Sequence, residues 1–271
     1  MDYVKLTIMG SGGATTTPRP FCRCSVCRKA KEVGEPYKRN SSSLFVDDIC
    51  ALIDCGEDIG DSLNRRHISK VDSLFITHWH PDHTFGLRPL LEAYYDMRES
   101  RPRRQVTIYI PRHVFEDLKR HYPGILHFTD HEKVASIQHI EHGESVTLGR
   151  LRITAVGYKG KDSRTFAYLL QERKKRALYA PCDTIDFEQE IFDLDFLINE
   201  CGLFSYRKVK KEISFPALMK RIRHLRPKKA ILTHIEEEEL RVWGWDYLDK
   251  MKKRYSDINF DFAHDGMKVD L

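Results

Sequence analysis

"LFITHWHPDHTFGL", residues 74–87, places His78, His80, Asp82 and His83 within six residues, directly after a short apolar run. Imidazole nitrogens and carboxylate oxygens are the usual donors to zinc and manganese. Residues two apart on an extended segment share a face, so His78 and His80 can grip one ion. Asp82 and His83 then turn the other way and can grip a second. Pro81 stiffens the turn, and the pattern reads as a tight loop rather than a helix. The alternative is a solvated loop rich in histidine, and four metal-competent side chains in this order speak against it.

A hydrolytic metal site needs ligands from elsewhere in the chain. Two later strand ends offer them: "LYAPCDT" (178–184) carries Asp183, and "AILTHIE" (230–236) carries His234. A carboxylate placed between two ions can bridge them. Asp183 alone would be a turn or a cap; its weight comes from a strand followed by a ligand, three times over.

The 271 residues, 41% hydrophobic and 31% charged, are enough to bury a sizeable core. The net charge of +5 suits a phosphate-bearing substrate but is no nucleic-acid-binding signature, so nucleic acid is not an expected partner. No apolar run approaches the ~18 residues of a membrane span. The start "MDYVKLTIMGSGG" lacks a signal-peptide layout, so a soluble, cytoplasmic protein is expected.

Strands are expected at "VKLTIMGSGG", "SLFV", "CALIDCGE", "VDSLFIT", "QVTIYI", "KVASIQHI", "RLRITAV", "FAYLLQE", "RALYAP", "DFLINE", "KAILTHI", "INFDF" and "MKVDL". Helices are expected over 57–66, 84–97, 214–225 and 239–254. Pro111 suits the first turn of another. Two packed sheets covered by helices fit this order better than one parallel sheet. No repeat or linker divides residues 1–271, which read as a single domain.

The chain resembles the metallo-β-lactamase superfamily. The resemblance rests on the glycines 10, 12 and 13, "LIDCG" (52–56), "THWHPDH" (77–83), Asp183, "LTHI" (232–235) and "HDGMKV" (264–269). It implies an α/β fold, a four-layer αββα sandwich with metals at one edge of the sheets. It also implies hydrolysis by a metal-bound hydroxide, with His78, His80, Asp82, His83, Asp183 and His234 holding one or two divalent ions, zinc or manganese.

"RPFCRCSVCRKA" (19–30) spaces Cys22, Cys24 and Cys27 as C-x-C-x-x-C, an insertion near 20–30 able to wrap one tetrahedral zinc. Three ordinary cytosolic thiols, or a reactive dithiol, are the alternatives. The cluster looks like that of the PhnP cyclic phosphodiesterase family, and more distantly PqqB. In that family the fourth zinc ligand is a histidine three residues beyond the "LTHI" histidine. Here the position is Glu237, so the shell is completed by Glu237, water or another side chain. Cys50, Cys55, Cys182 and Cys201 read as buried small residues.

The pattern also breaks. The family's first metal takes a third histidine between the strands matching "LRITAVG" and "FAYLL", but no histidine occurs between His142 and His224. Lys161 falls about where the ligand belongs, beside Asp162. Asp162 can supply a carboxylate, the first site can be weak or empty, or the Lys161 ammonium can contact substrate phosphate. The pocket histidine expected as proton donor is missing too. Its interval carries "RKVKK" (207–211), with Lys208 and Lys210 as candidate phosphate binders. Asp54 reads equally as an orienting partner of a ligand histidine or as a turn residue. His264 reads as packing, and "EEEE" (236–239) as a helix start.

The resemblance implies a metal-dependent phosphodiesterase acting on a small cyclic phosphodiester such as a ribose or nucleotide cyclic phosphate. Asp82, Asp183 and Lys161 are its catalytic candidates, and the resemblance is compatible with a homodimer. An RNA-processing or thioester-hydrolysing relative, or a non-catalytic metal binder, are the alternatives.

Overall fold

In the computed structural model, residues 3–98, 104–204 and 212–271 are described. Side-chain alternation along the strands decides the layering. In the strand Lys175–Ala180, Ala177 and Tyr179 join one buried cluster while Leu178 and Ala180 join another. A strand with apolar residues on both faces must be covered on both.

Among the described residues, two seven-stranded sheets result. From edge to edge, the first runs Lys268–Asp270, Lys5–Gly10, Ser43–Val46, Ala51–Ile53, Ser73–Phe75, Val106–Ile110, Ala135–His139. The second runs Phe260–Phe262, Lys229–Thr233, Phe196–Glu200, Lys175–Ala180, Phe166–Glu172, Leu151–Gly157, Ser145–Leu148. The central core is shared by both sheets, with Ile8, Leu44 and Phe75 from the first meeting Ile153, Tyr168 and Ile231 from the second. Phe75 stacks on Tyr109 at 4.7 Å and meets Tyr168 edge-on at 5.2 Å.

Helices Ile59–Arg65, Leu87–Glu92 and Arg112–His121 contribute to the central cluster. Helices Phe215–Leu225, Glu237–Trp243 and Asp246–Arg254 pack on the second sheet's other face through Leu218, Ile222, Leu240 and Met251. The protein is thus the α/β, αββα sandwich that its strand and helix order implies. Among the described residues no helix is long and apolar enough to cross a membrane.

Three local expectations need correction. Residues 84–97 hold only the short helix Leu87–Glu92, because the chain turns again after Glu92. The helix expected over 239–254 is two, broken at Gly244, whose φ of 75° ends the first. The cysteine segment, read only as an insertion, holds a helix, Ser25–Val33, that carries Cys27; Cys24 caps it, its Sγ accepting the Cys27 N–H.

Candidate metal centre

The donors come off the carboxyl ends of strands. Ile53 leads into Asp54, Phe75 into the segment 77–83, Ala180 into Cys182 and Asp183, and Thr233 into His234. Open sheets with parallel strands place ligands outside those ends. At three exits the backbone turns left-handed, with φ of 61° at Asp54, 57° at Asp183 and 53° at His234. Each such turn costs on the order of 1–3 kcal/mol, a strain typical of functional sites. It ends the strand abruptly and sends the side chain to the sheet edge.

Asp82 and His83 lie on one helical turn, Pro81–Thr84, not on the loop their spacing suggested. Pro81 at the first position, with its fixed φ, starts the turn. Thr84 Oγ1 sits 2.9 Å from both the Trp79 and His80 carbonyl oxygens and closes it. The turn packs backbone to backbone on residues 54–56, where the Cys55 N–H donates to His83 O at 2.8 Å. A Cβ on Gly56 would stand 2.4 Å from Asp82 O, so this approach requires glycine.

The geometry brings the motif's donors together. His78 Nε2 is 3.0 Å from His80 Nδ1. Asp82 Oδ2 is 3.2 Å from His83 Nε2 and 3.3 Å from His234 Nε2. Two donors on one tetrahedral zinc stand ~3.3 Å apart, given bonds of ~2.0–2.1 Å. Donor atoms of His78, His80, Cys182 and Asp183 lie within 4.8 Å of one another, as do those of His83, Cys182 and His234.

His83 supplies a test of whether a metal fits. Its Nδ1 is 2.8 Å from Asp54 Oδ2, and Asp54 also accepts from the Thr77 N–H and Oγ1–H, each at 2.8 Å. An ionised carboxylate only accepts, so Nδ1 carries the proton. That turns Nε2 onto the cluster, where it is buried, makes no well-aligned hydrogen bond and faces Asp82 Oδ2 at 3.2 Å. A histidine held by a carboxylate with its other nitrogen aimed at a second donor is a metal ligand's arrangement, and of the two readings of Asp54 this is the orienting one.

Electrostatics agree. Burial alone would push the Asp82 carboxyl up, but the charge of His83 and the hydrogen bond of His234 outweigh it and hold Asp82 well below the usual carboxylate range. Burial also opposes charge on His83, yet Asp82 and Asp54 raise it to about 10. His234 rises to about 9 against burial, chiefly through its hydrogen bond with Asp82. His78 falls well below the usual histidine range through burial and the neighbouring His83 and His80. Protons compensate the carboxylates here, and a bound cation would replace them.

Other candidates lie apart. Lys161 and Asp162 are exposed on the turn Gly160–Asp162, and neither donor group includes Asp162. His264 is also in neither, and its Nδ1 is 3.1 Å from Asp265 O. Lys208 and Lys210 lie outside the described residues. Cys50, read as buried, is half-exposed because it ends a short helical turn left-handed, with φ of 48°. Sequence reasoning missed two features. Cys182, read as a small core residue, is buried but belongs to both donor groups. Glu200 and Glu212 form a third group with His234; burial and then Glu212 raise the Glu200 carboxyl well above its usual range. A cavity of about 530 Å³ lined by Gly60, Leu63, Ile68, Tyr94 and Arg104 contains none of these donors.

The cysteine cluster forms a separate site. Glu237 Oε1 stands 3.7, 3.9 and 3.1 Å from the Sγ atoms of Cys22, Cys24 and Cys27. A sulfur and an oxygen on one tetrahedral zinc stand ~3.6 Å apart. Burial, then the hydrogen bond to Glu237, pushes the Cys27 thiol up. Three thiols around a fully buried carboxylate form a donor set that fits a cation.

Residues 51–235 match the family model described as the beta-lactamase superfamily domain. The chain belongs to that superfamily. Two solved structures show the same superfamily fold over nearly their whole lengths. A diphosphatase of the PhnP family is 21% identical with a TM-score of 0.74, covering 99% of this chain and 98% of that one. Zinc-bound PqqB from Methylobacterium extorquens is 17% identical with a TM-score of 0.80, covering 98% and 100%. The matches to curated proteins are partial. An octanoyltransferase of Porphyromonas gingivalis is 28% identical over 132 residues, 45% of this chain and 25% of that protein. A ribonuclease Z of Thermoplasma volcanium is 29% identical over 111 residues, 40% and 30% respectively. The chain therefore matches less than a third of either curated relative's length.

Proposed function

We propose that this protein is a metal-dependent hydrolase of phosphodiesters, with a small cyclic phosphodiester as its substrate class. The observation that carries the reading is the convergence of His78, His80, Asp82, His83, Asp183 and His234 at one sheet edge, with His83 turned inward by Asp54. When bound, a divalent ion supplies Lewis acidity at a phosphoryl oxygen and lowers the pKa of water. His78, His80 and Asp183 hold one ion, and Asp82, His83 and His234 hold the other. Asp54 keeps His83 in the ligating tautomer. Burial of all these side chains but the half-buried His80 keeps the local dielectric low, which strengthens attraction for an anionic substrate. Cys22, Cys24, Cys27 and Glu237 hold a structural zinc that ties the start of the helix Ser25–Val33 and the segment before it to the helix Glu237–Trp243.

The likeness to a PhnP-family diphosphatase supports phosphoryl chemistry, and the ribonuclease Z matches support a second reading, cleavage of an RNA phosphodiester. Turnover of a ribose cyclic phosphodiester and of a precursor tRNA, each with zinc or manganese, separates the two, with Asp183→Ala as control. Activity on the cyclic diester that is lost in the control is expected. Cleavage of only the RNA selects the second reading. Inactivity on both with ions bound overturns the phosphodiesterase assignment.

A further inference from the structure

The geometry points to Cys182 as a ligand of the His78/His80 ion, its thiolate standing in the place of the missing third histidine. The inference rests on reading the sheet edge as a metal centre. The segment after the strand Leu151–Gly157, where an imidazole is expected, leaves Lys161 and Asp162 exposed, and Asp162 stands outside both donor groups. The vacancy in the donor set is met from another strand. Cys182 follows Lys175–Ala180 directly, and its Sγ lies within 4.8 Å of the donor atoms of His78, His80 and Asp183. The same Sγ lies within 4.8 Å of those of His83 and His234. A sulfur and a nitrogen on one tetrahedral zinc stand ~3.5 Å apart, well inside that limit.

Buried cysteines usually act as small apolar residues. Cys55 and Cys201 fit that role: they are as buried as Cys182, and no donor group among the described residues includes them. Cys182 is instead surrounded by two imidazoles and a carboxylate. Its backbone is held as well, the Tyr158 hydroxyl donating to Cys182 O at 2.7 Å. On binding, the Sγ–H proton leaves to solvent as the sulfur–metal bond forms. Two imidazoles, a thiolate and a carboxylate make a set that favours zinc over manganese, because thiolate is a soft donor.

The test uses full-length protein loaded with zinc. Its crystal structure, with anomalous scattering at the zinc edge, is expected to show an ion ~2.3 Å from Cys182 Sγ and bound to His78 and His80. An ion on His78 and His80 with Sγ outside bonding distance overturns the proposal while leaving the metal centre standing. No ion at the edge overturns both. In solution, cobalt-loaded Cys182→Ser is expected to lose part of the thiolate-to-cobalt absorption and to bind manganese better in competition with zinc. An unchanged spectrum from a folded variant refutes the assignment.

Discussion

Replacing Asp54 by asparagine tests the orientation of the metal centre without touching a ligand. Asp54 is fully buried; its Oδ1 accepts the Thr77 N–H, and its Oδ2 accepts both the Thr77 hydroxyl and His83 Nδ1–H. In Asp54→Asn the amide oxygen stays on the Thr77 N–H, since the reverse placement would set two donors face to face. The amide nitrogen then occupies the Oδ2 position, where it can accept from neither partner. Two hydrogen bonds to a charged acceptor are lost, each contributing about 1.5–3 kcal/mol. The Thr77 share lowers stability with or without metal. The His83 share appears in metal binding, because an amide donor at Nδ1 favours the tautomer with its proton on Nε2, the nitrogen that faces the cluster. Loss of such an orienting partner costs 10–100-fold in metal affinity, or about 1.4–2.7 kcal/mol. Zinc retention against a graded chelator, with metal content counted per chain, is the assay; the cysteine site shares no ligand with the edge and serves as internal reference. Edge-site affinity within about twofold of wild type would refute the orienting role, since that lies below the smallest loss expected of an orienting partner.

Three other outcomes are expected. Glu237→Ala should weaken zinc retention at the cysteine site by more than about tenfold, over 1.4 kcal/mol, and Glu237→His should restore it; equal retention by all three proteins, read by the same chelator titration, removes Glu237 from the shell. Gly10→Ala should lower the urea midpoint by a loss of about 3 kcal/mol, because the new Cβ would stand 1.9 Å from Ser41 O and the main chain must move; a wild-type midpoint counts against the close approach. Burial pushes the Asp265 carboxyl up to about 6 despite hydrogen bonds from Asn40 and Ser11. A folded-state value above the unfolded one gives stability fully present below about pH 4 and lost as pH rises through about 6, on the order of 3 kcal/mol. Carboxyl carbon NMR should show Asp265 titrating near 6, and a midpoint below 4 contradicts burial as the ruling cause.

The sequence by itself determined the layered architecture, because alternating apolar strands broken by turn residues must bury both faces of two sheets, and helices at 3.6-residue spacing must cover them. It also marked most of the candidate metal donors. Ligands two apart in "THWHPDH", and single donors after the strands ending at Ala180 and Thr233, declare themselves by type and spacing. Glu237 was legible only by offset from His234, and its place beside three thiols became visible once the helix Glu237–Trp243 was set against the segment 22–27. Cys182 was not legible at all. A cysteine after an apolar strand has the same local signature whether it fills a core, as Cys55 and Cys201 do, or faces two histidines from a strand about a hundred residues earlier. Nor could spacing choose between the two roles of Asp54; the distance to His83 did. Local spacing reports which residues share a face, but which faces meet is set by sheet order and by the left-handed exits at Asp54, Asp183 and His234, which only the packed tertiary structure holds in place.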